Sequence, residues 1–370
     1  MTDIFKVIKR NDIKLVKECI DSGADLNNIT IGKPDGFNNR MIYYTPLQFA
    51  IRESCSVDLI KLLLENGADP KRNGGISLYY NDRYEGEERV RYIKLLLSYG
   101  VKNGCSVSYL CDYHTPIDYE ALKLLVLNDI RSIDDYCWNR GRALGGLLQW
   151  HSYQKEAYPA AKLLIENGAK TDLKMDLNLG FGIHIKASLL HVVCYNSALT
   201  NKINGSLLAS LLLKSGIDVN DRDSEGRTPL MYALGSYNPQ LIKLLIKNGA
   251  DVNITDNKGR TALFFGSPYV ENIKLLIDSG ININHQDNNG NTALHYYFNH
   301  CNSEIANWNE STLNILLDQD NIDLNLKNNK GKTVIETALH APFLFIPNAT
   351  RDSIVSLIKK RAERNYNRII

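Results

Sequence analysis

Two stretches of this chain repeat one phrase 33 residues apart. Gly226-Arg227-Thr228-Pro229-Leu230 leads into Leu241-Ile242-Lys243-Leu244-Leu245, and Gly259-Arg260-Thr261-Ala262-Leu263 leads into Ile273-Lys274-Leu275-Leu276-Ile277. Thr228 and Thr261 are 33 positions apart (261 − 228), as are Gly216 and Gly249 (249 − 216). A unit of that size cannot bury its own apolar face, so a fixed period implies units that stack, each covered by its neighbours. Such an array grows without enlarging any single core. The length of 370 residues therefore does not count domains, and the chain reads as one continuous stack.

Aligning the second helix of each unit on its Lys-Leu-Leu core places anchors at Lys17, Lys61, Lys94, Lys123, Lys162, Ser210, Lys243, Lys274, Asn314 and Ser356. That makes about ten units. Apolar residues around most anchors, such as Leu59, Ile60, Leu62, Leu63 and Leu64, are too dense for a helix with a wet face and suit one sandwiched in a stack. Gly23, Gly67, Gly100, Gly168, Gly216, Gly249 and Gly280 stand just past the helix ends, where a left-handed backbone favours a residue without Cβ. Thr228 or Thr261 can cap the first helix through its hydroxyl, and Pro46 and Pro229 suit its first turn. Asp223, Asp256 and Asp287 can satisfy turn backbone groups. The repeated residues are thereby assigned to folding.

Regularity varies along the chain. Asp3 to Asn27 has both helices but no Thr-Pro-Leu opening, as expected of an end cap whose outer face meets water. Gly32 to Tyr44 is an insertion ahead of Thr45-Pro46-Leu47. From Pro70 to Asn220 the second helices keep the period while the openings decay. Ile76 to Val90 replaces a recognisable first helix, and Leu173 to Ala187 is another insertion. A further insertion spans Cys301 to Asn309, and the chain ends in the polar helix Ser353 to Asn365.

The Thr-Pro-Leu opening at 228–230, the Lys-Leu-Leu core at 243–245 and the Asn-Gly-Ala-Asp-Val-Asn turn at 248–253 resemble the ankyrin repeat. The resemblance implies an all-α ankyrin-repeat solenoid of about ten helix-turn-helix units, with irregular insertions in the N-terminal half. Its expected division is a capping repeat at 1–30, degenerate repeats with insertions at 31–220, regular repeats at 221–341 and a capping helix at 342–370. It also implies binding of one or more partner proteins through the turn tips and the concave face of the first helices, as an adaptor, scaffold or effector without catalysis. Carried onto this chain, the exposed tip positions are Ser224, Glu225 and Arg227; Asn257, Lys258 and Arg260; Asn288, Asn289 and Asn291; and Asn328, Asn329, Lys330 and Lys332. They vary between units while the scaffold residues repeat, as expected of a rigid frame presenting a variable surface.

The irregular half offers a second candidate surface. Tyr79, Tyr80, Tyr84, Trp138, Trp150, Tyr153 and Tyr158 lie in or beside non-consensus segments, and Tyr and Trp are favoured interface anchors. Filling of gaps left by missing helices explains them equally well. The competing class is an enzyme or metal protein with its site within 70–220. Cys105, Cys111, His114 and Cys137 loosely suggest zinc, but five residues separate the first two, where two to four are usual. His295, His300 and Cys301 cluster too, yet His295 matches the histidine of the ankyrin Thr-Pro-Leu-His motif, whose role by resemblance is structural. No P-loop, zincin helix or nucleophile elbow occurs in the sequence. Neither a metal nor a cofactor is expected.

Charge and composition narrow the partners. A net charge of +2 argues against general capture by nucleic acid or an anionic membrane. Seven irregularly spaced cysteines suit reduced thiols, and no apolar run approaches the roughly 18 residues of a spanning helix. The expectation is a cytoplasmic monomer, and delivery into a host cytosol would leave no mark here. Lys359, Lys360, Arg361, Arg364 and Arg368 complement a helix C-terminus. Ile346-Pro347 before a final apolar helix resembles the F-box-like tail of some poxvirus ankyrin proteins but lacks its acidic and leucine signature; that resemblance implies a ubiquitin-ligase substrate adaptor as an alternative. Leu245 to Asn253 is similar to segments modified by asparaginyl hydroxylase, with Asn253 the implied target.

Overall fold

The computed structural model describes residues 3–29, 31–34, 41–72, 84–101, 107, 110–111, 116–128, 143–178, 184–200, 204–235, 238–266, 269–300, 310–340, 356 and 358. The chain forms two compact units, Met1–Lys170 and Thr171–Ile370. In each, helices pack on their neighbours in sequence, in two rows.

In the first unit the row of second helices runs Ile13–Asp21, Val57–Glu65, Gly86–Ser98, Tyr119–Asn128 and Ala157–Glu166, each packed on the next. Ile4–Lys9 packs on Pro46–Arg52 in the other row. In the second unit the first helices are Leu189–Thr200, Pro229–Ala233, the short 3-10 helix Ala262–Phe265, Ala293–His300 and Val334–His340. The second helices there are Asn204–Lys214, Pro239–Lys247, Val270–Asp278 and Glu310–Leu317. Every sequence anchor from Lys17 to Asn314 lies in one of these second helices. Leu59, Ile60, Leu63 and Leu64 are buried, as are Leu241, Ile242 and Leu245. Each such side chain contributes about 1.5–3 kcal/mol of burial, which a lone unit could not collect.

Both ends of the second helices follow from the sequence. Asp12, Ser56 and Asn238 accept hydrogen bonds from Leu15 N, Leu59 N and Leu241 N at the start. The seven glycines past the helix ends all have φ between +71° and +93°. Threonine capping of the first helices is less uniform, and the residue three positions on decides it. Thr45 with Gln48 forms a complete capping box, and Thr333 pairs likewise with Glu336. Ser188 and Thr292 instead meet the imidazoles of His191 and His295. Thr228 and Thr261, followed by Met231 and Phe264, make no side-chain cap, contrary to the expectation from sequence. The Thr261 hydroxyl is buried without a partner.

Two insertions are antiparallel hairpins. β1 (Ile31–Pro34) pairs with β2 (Met41–Tyr44), and β3 (Lys174–Asn178) with β4 (His184–Ser188). The residues expected to replace a first helix do so in part. Tyr84 is buried against Tyr92 with ring centroids 4.9 Å apart, and its hydroxyl bonds to Cys55 O. It is a packing residue and not an exposed anchor. Helix Gly86–Ser98 then begins within the expected replacement segment.

Successive repeats are tied by two hydrogen-bonded series. In one, an asparagine closes each repeat onto the backbone of the next. Asn253 Nδ2 donates to Gly280 O at 3.0 Å and its Oδ1 accepts from Asn282 N at 2.8 Å. Asn27, Asn220 and Asn284 do the same at Gly67/Asp69, Gly249/Asp251 and Asn321/Asp323. In the other, the turn tips form a ladder: Asn257 N donates to Glu225 O, Asn288 N to Lys258 O and Asn329 N to Asn289 O, at 2.9–3.0 Å. Ser224 N continues it onto Lys186 O of β4 at 3.0 Å.

The two classes of left-handed glycine should respond differently to a methyl group. Gly249 (φ +89°) has open space at its Cβ position, so Gly249→Ala should cost only the backbone term, about 1–2 kcal/mol. At Gly259 (φ +75°) a Cβ would lie 2.4 Å from Asn288 Oδ1 and 2.9 Å from Asn288 N, within the ladder itself. Urea denaturation should show Gly259→Ala to be the more destabilising, by about 1 kcal/mol or more; equal losses would mean the ladder yields freely.

Candidate functional site

The tips and first helices of the second unit converge on a stack of alternating rings and guanidinium groups. Arg227 lies 5.9 Å from the Tyr232 ring centroid and 5.8 Å from that of Phe265. Arg260 lies 4.9 Å from Phe265 and 5.5 Å from Tyr296. The order is therefore Tyr232, Arg227, Phe265, Arg260, Tyr296, with Tyr195 edge-on to Tyr232 at 6.0 Å. Tyr195, Tyr232, Phe265 and Tyr296 are half-buried. Guanidinium–ring contacts of this kind hold both groups in place at modest energy.

The turns fix the arginines. Asp223 Oδ1 accepts from Glu225 N and Arg227 N at 2.8 Å each, and Asp256 and Asp287 repeat the arrangement, as expected from sequence. The second carboxylate oxygen is where consecutive repeats differ. Arg260 Nε and Nη2 both reach Asp256 Oδ2, at 2.9 and 2.6 Å, and Arg260 is 6% exposed. In the preceding repeat the Tyr232 hydroxyl donates to Asp223 Oδ2 at 2.7 Å and accepts from Arg227 Nη1 at 3.1 Å. Burial and the bond to Asp223 raise the Tyr232 phenol pKa above the ordinary tyrosine range, keeping it a donor. Phe265 has no hydroxyl, so Asp256 is left for Arg260.

The expected contact residues consequently separate into frame and face. Arg260 and Asn328 are buried, correcting the expectation that both are exposed. Asn257 and Asn288 are exposed, but their Nδ2 atoms donate to Ser224 O and Asn257 O at 3.1 Å, within the ladder. Ser224 Oγ accepts from Lys186 N. Glu225, Arg227 and Asn291 are half-exposed, and Lys258, Asn289 and Lys330 are exposed, around the aromatic stack. Asn253 is exposed with its amide held at both ends. The aromatic residues were missed in the sequence; their common place, four residues after Thr228, Thr261 and Thr292, was the available signal. Tyr79, Tyr80, Trp138, Cys105, His114, Cys137, Cys301, Ile346 and the basic end from Lys359 lie outside the described residues.

One cluster has the composition of a catalytic site. Ser188 Oγ lies 2.7 Å from His191 Nδ1, with Asp221 Oδ2 4.0 Å from the same nitrogen. His191 Nε2 is 2.9 Å from Arg227 O, a carbonyl that only accepts, so Nε2 carries the proton and Nδ1 accepts from Ser188. Serine and histidine are both buried, out of reach of a substrate. Thr292, His295 and Lys332 O repeat the arrangement, making it a joint between a first helix and the next tip. Among the described residues no group of three His, Cys, Asp or Glu is placed to hold a metal ion, and no helix is long and apolar enough to cross a membrane.

Two outcomes are expected. Burial lowers the His191 and His295 pKa values, outweighing the carbonyl bonds and the nearby Asp221, Asp223 and Asp287. Stability should therefore be level above about pH 6.5 and fall below it, as the unfolded chain takes up protons the folded chain refuses. Urea midpoints measured across that range should flatten in His295→Gln; an unchanged slope would assign the loss elsewhere. Separately, Arg260→Ala should cost about 3 kcal/mol by stranding Asp256, whereas Arg227→Ala should cost under about 1 kcal/mol. Similar losses at the two positions in thermal melts would contradict the frame-and-face division.

Comparison with known proteins agrees with this geometry. The family described as "Ankyrin repeats (3 copies)" matches residues 148–256 and 190–287, and "Ankyrin repeat" matches residues 43–73. The chain is 27% identical over 230 residues to the ankyrin repeat protein FPV018 of Fowlpox virus (strain NVSL). That alignment covers 62% of this chain and 28% of the viral protein, so the similarity spans little more than a quarter of its relative. The matched segments contain the stapling asparagines, the tip ladder and most of the aromatic stack, and the chain is an ankyrin repeat protein.

Proposed function

We propose that this protein binds a partner protein through the tip-and-first-helix face of residues 222–296, and acts as an adaptor or effector. Ankyrin repeats are protein–protein interaction modules and the family is generally non-catalytic. The observation that carries the assignment to this face is the contrast between a backbone ladder identical from repeat to repeat and side chains around it that are not. Glu225, Lys258 and Asn289 follow the buried turn residues Asp223, Asp256 and Asp287, so one frame offers an acid, a base and an amide in sequence. Rigid presentation of this kind limits the entropy lost on binding. The likeness to a Fowlpox virus protein favours a role inside an infected host cell.

Asn253 is proposed as a modification site on its resemblance to hydroxylated segments. Its amide is held by Gly280 O and Asn282 N, so a hydroxylase would have to open that staple first.

Affinity capture from native host-cell lysate tests the binding face. Glu225→Lys combined with Lys258→Glu reverses two outward charges without touching the ladder's backbone. A protein retained by wild type should be lost by this double variant at an unchanged melting temperature. Arg260→Glu is unsuitable, because it would place a second carboxylate against buried Asp256. Retention of the same partner by the double variant would move the interface off this face.

A further inference from the structure

We infer that the partner contributes a carboxylate side chain, flanked by an apolar or aromatic residue, that docks on Arg227 between the Tyr232 and Phe265 rings. The inference rests on the protein-binding reading above and names the chemistry of the partner.

Arg227 and Arg260 occupy the same place in consecutive repeats (260 − 227 = 33) and differ in charge compensation. Arg260 is ion-paired to Asp256 at 2.6 Å. Arg227 has no carboxylate within 4.0 Å among the described residues, because the Tyr232 hydroxyl takes Asp223 Oδ2. Its Nε is buried with no hydrogen-bond partner, and its one side-chain bond is to the neutral Tyr232 hydroxyl. A guanidinium held between rings and lacking its anion is preorganised for an incoming carboxylate, since its conformational freedom is already lost.

The surroundings have the complementary sign. Arg222, beside the same tip, donates only to the backbone carbonyls Gly226 O and Thr255 O. Exposed Lys258, one repeat on, has no ion-pair partner among the described residues. Around the paired tips three cations therefore stand uncompensated, against Glu225 and an Asp223 engaged by two backbone N–H groups and the tyrosine. The half-buried faces of Tyr232, Phe265 and Tyr296 supply the apolar seat beside them. An acidic segment with an apolar neighbour satisfies both features at once.

The repeat array also supplies its own control. Tyr232→Phe makes this repeat like the next: it frees Asp223 Oδ2, which Arg227 then takes as Arg260 takes Asp256. The guanidinium stays in the chain but its charge is spent internally.

The test is selection of a random peptide display library on the full-length protein, followed by anisotropy titration of an enriched synthetic peptide. Enriched peptides should carry Asp or Glu beside an apolar or aromatic residue. Affinity should fall about tenfold or more in Arg227→Met, in Tyr232→Phe and for the peptide with its acid changed to the amide, and should weaken with added salt. Thermal melts confirm that both variants fold, and Tyr232→Phe is near-isosteric should Arg227→Met prove unstable. Enrichment of neutral peptides whose binding is lost in Phe265→Ala but unchanged in Arg227→Met and Tyr232→Phe overturns this inference and leaves the binding face standing. Binding indifferent to all of these substitutions and to Glu225→Lys/Lys258→Glu overturns both. Failure to enrich any peptide over bare matrix also counts against the carboxylate site.

Discussion

The structure depends on backbone hydrogen bonds made across the junction of consecutive repeats. A helix pair of this size buries too little apolar surface to hold itself together, so each junction must be specific as well as greasy. Leucines on the second helices supply the area, but apolar contact alone permits sliding. Asn253, with donor and acceptor fixed on Gly280 O and Asn282 N, permits one register. The tip ladder applies the same constraint at the opposite end of each repeat, through Asn257, Asn288 and Asn329.

That constraint decides which residues are left for function. Backbone N–H and C=O groups build most of the ladder, so side chains at Glu225, Lys258 and Asn289 are free to differ. The asparagine preceding each of the latter two is not: its amide bonds the tip before it. A tip that reads as a run of polar residues therefore alternates between frame and face. The aromatic position behind the tips adds a second level of control. Tyrosine there intercepts the aspartate and leaves its arginine uncompensated; phenylalanine lets the pair close. One hydroxyl sets the charge presented by a repeat without altering the fold.

The sequence made the frame legible because the frame is periodic and local. Gly249 and Gly280 announce helix ends through a backbone conformation that other residues resist, and all seven such glycines have it. Asp223, Asp256 and Asp287 act on N–H groups two and four residues away, within reach of local reasoning. What failed were readings that depend on a partner elsewhere. Thr228 resembles a capping residue, but capping required Gln48 or Glu336 at the third following position, and Met231 cannot reciprocate. Arg260 looks exposed until the ring of Phe265 and the carboxylate of Asp256 close over it. Leu173 to Ala187 carries no helical period, and nothing local reveals that its second strand accepts the first bond of the ladder.

Histidine at the third position of the first-helix motif shows how a frame can imitate a site. Ser188, His191 and Asp221 have the composition of nucleophilic catalysis and hydrogen-bond lengths to match. The imidazole is nevertheless committed at both nitrogens, one to a hydroxyl in its own repeat and one to a carbonyl in the next, and desolvation keeps it neutral. A catalytic base must exchange its proton with a bound substrate; this one cannot release either bond without parting two repeats. Its recurrence as Thr292 and His295 follows from the same need, since a neutral imidazole spans a hydroxyl and a carbonyl that would otherwise be buried unpaired. Chemistry-bearing residues that repeat with the fold are thus explained by the fold. The unpaired guanidinium of Arg227, which does not repeat, is not explained that way, and function is to be sought where the repeat breaks its own pattern.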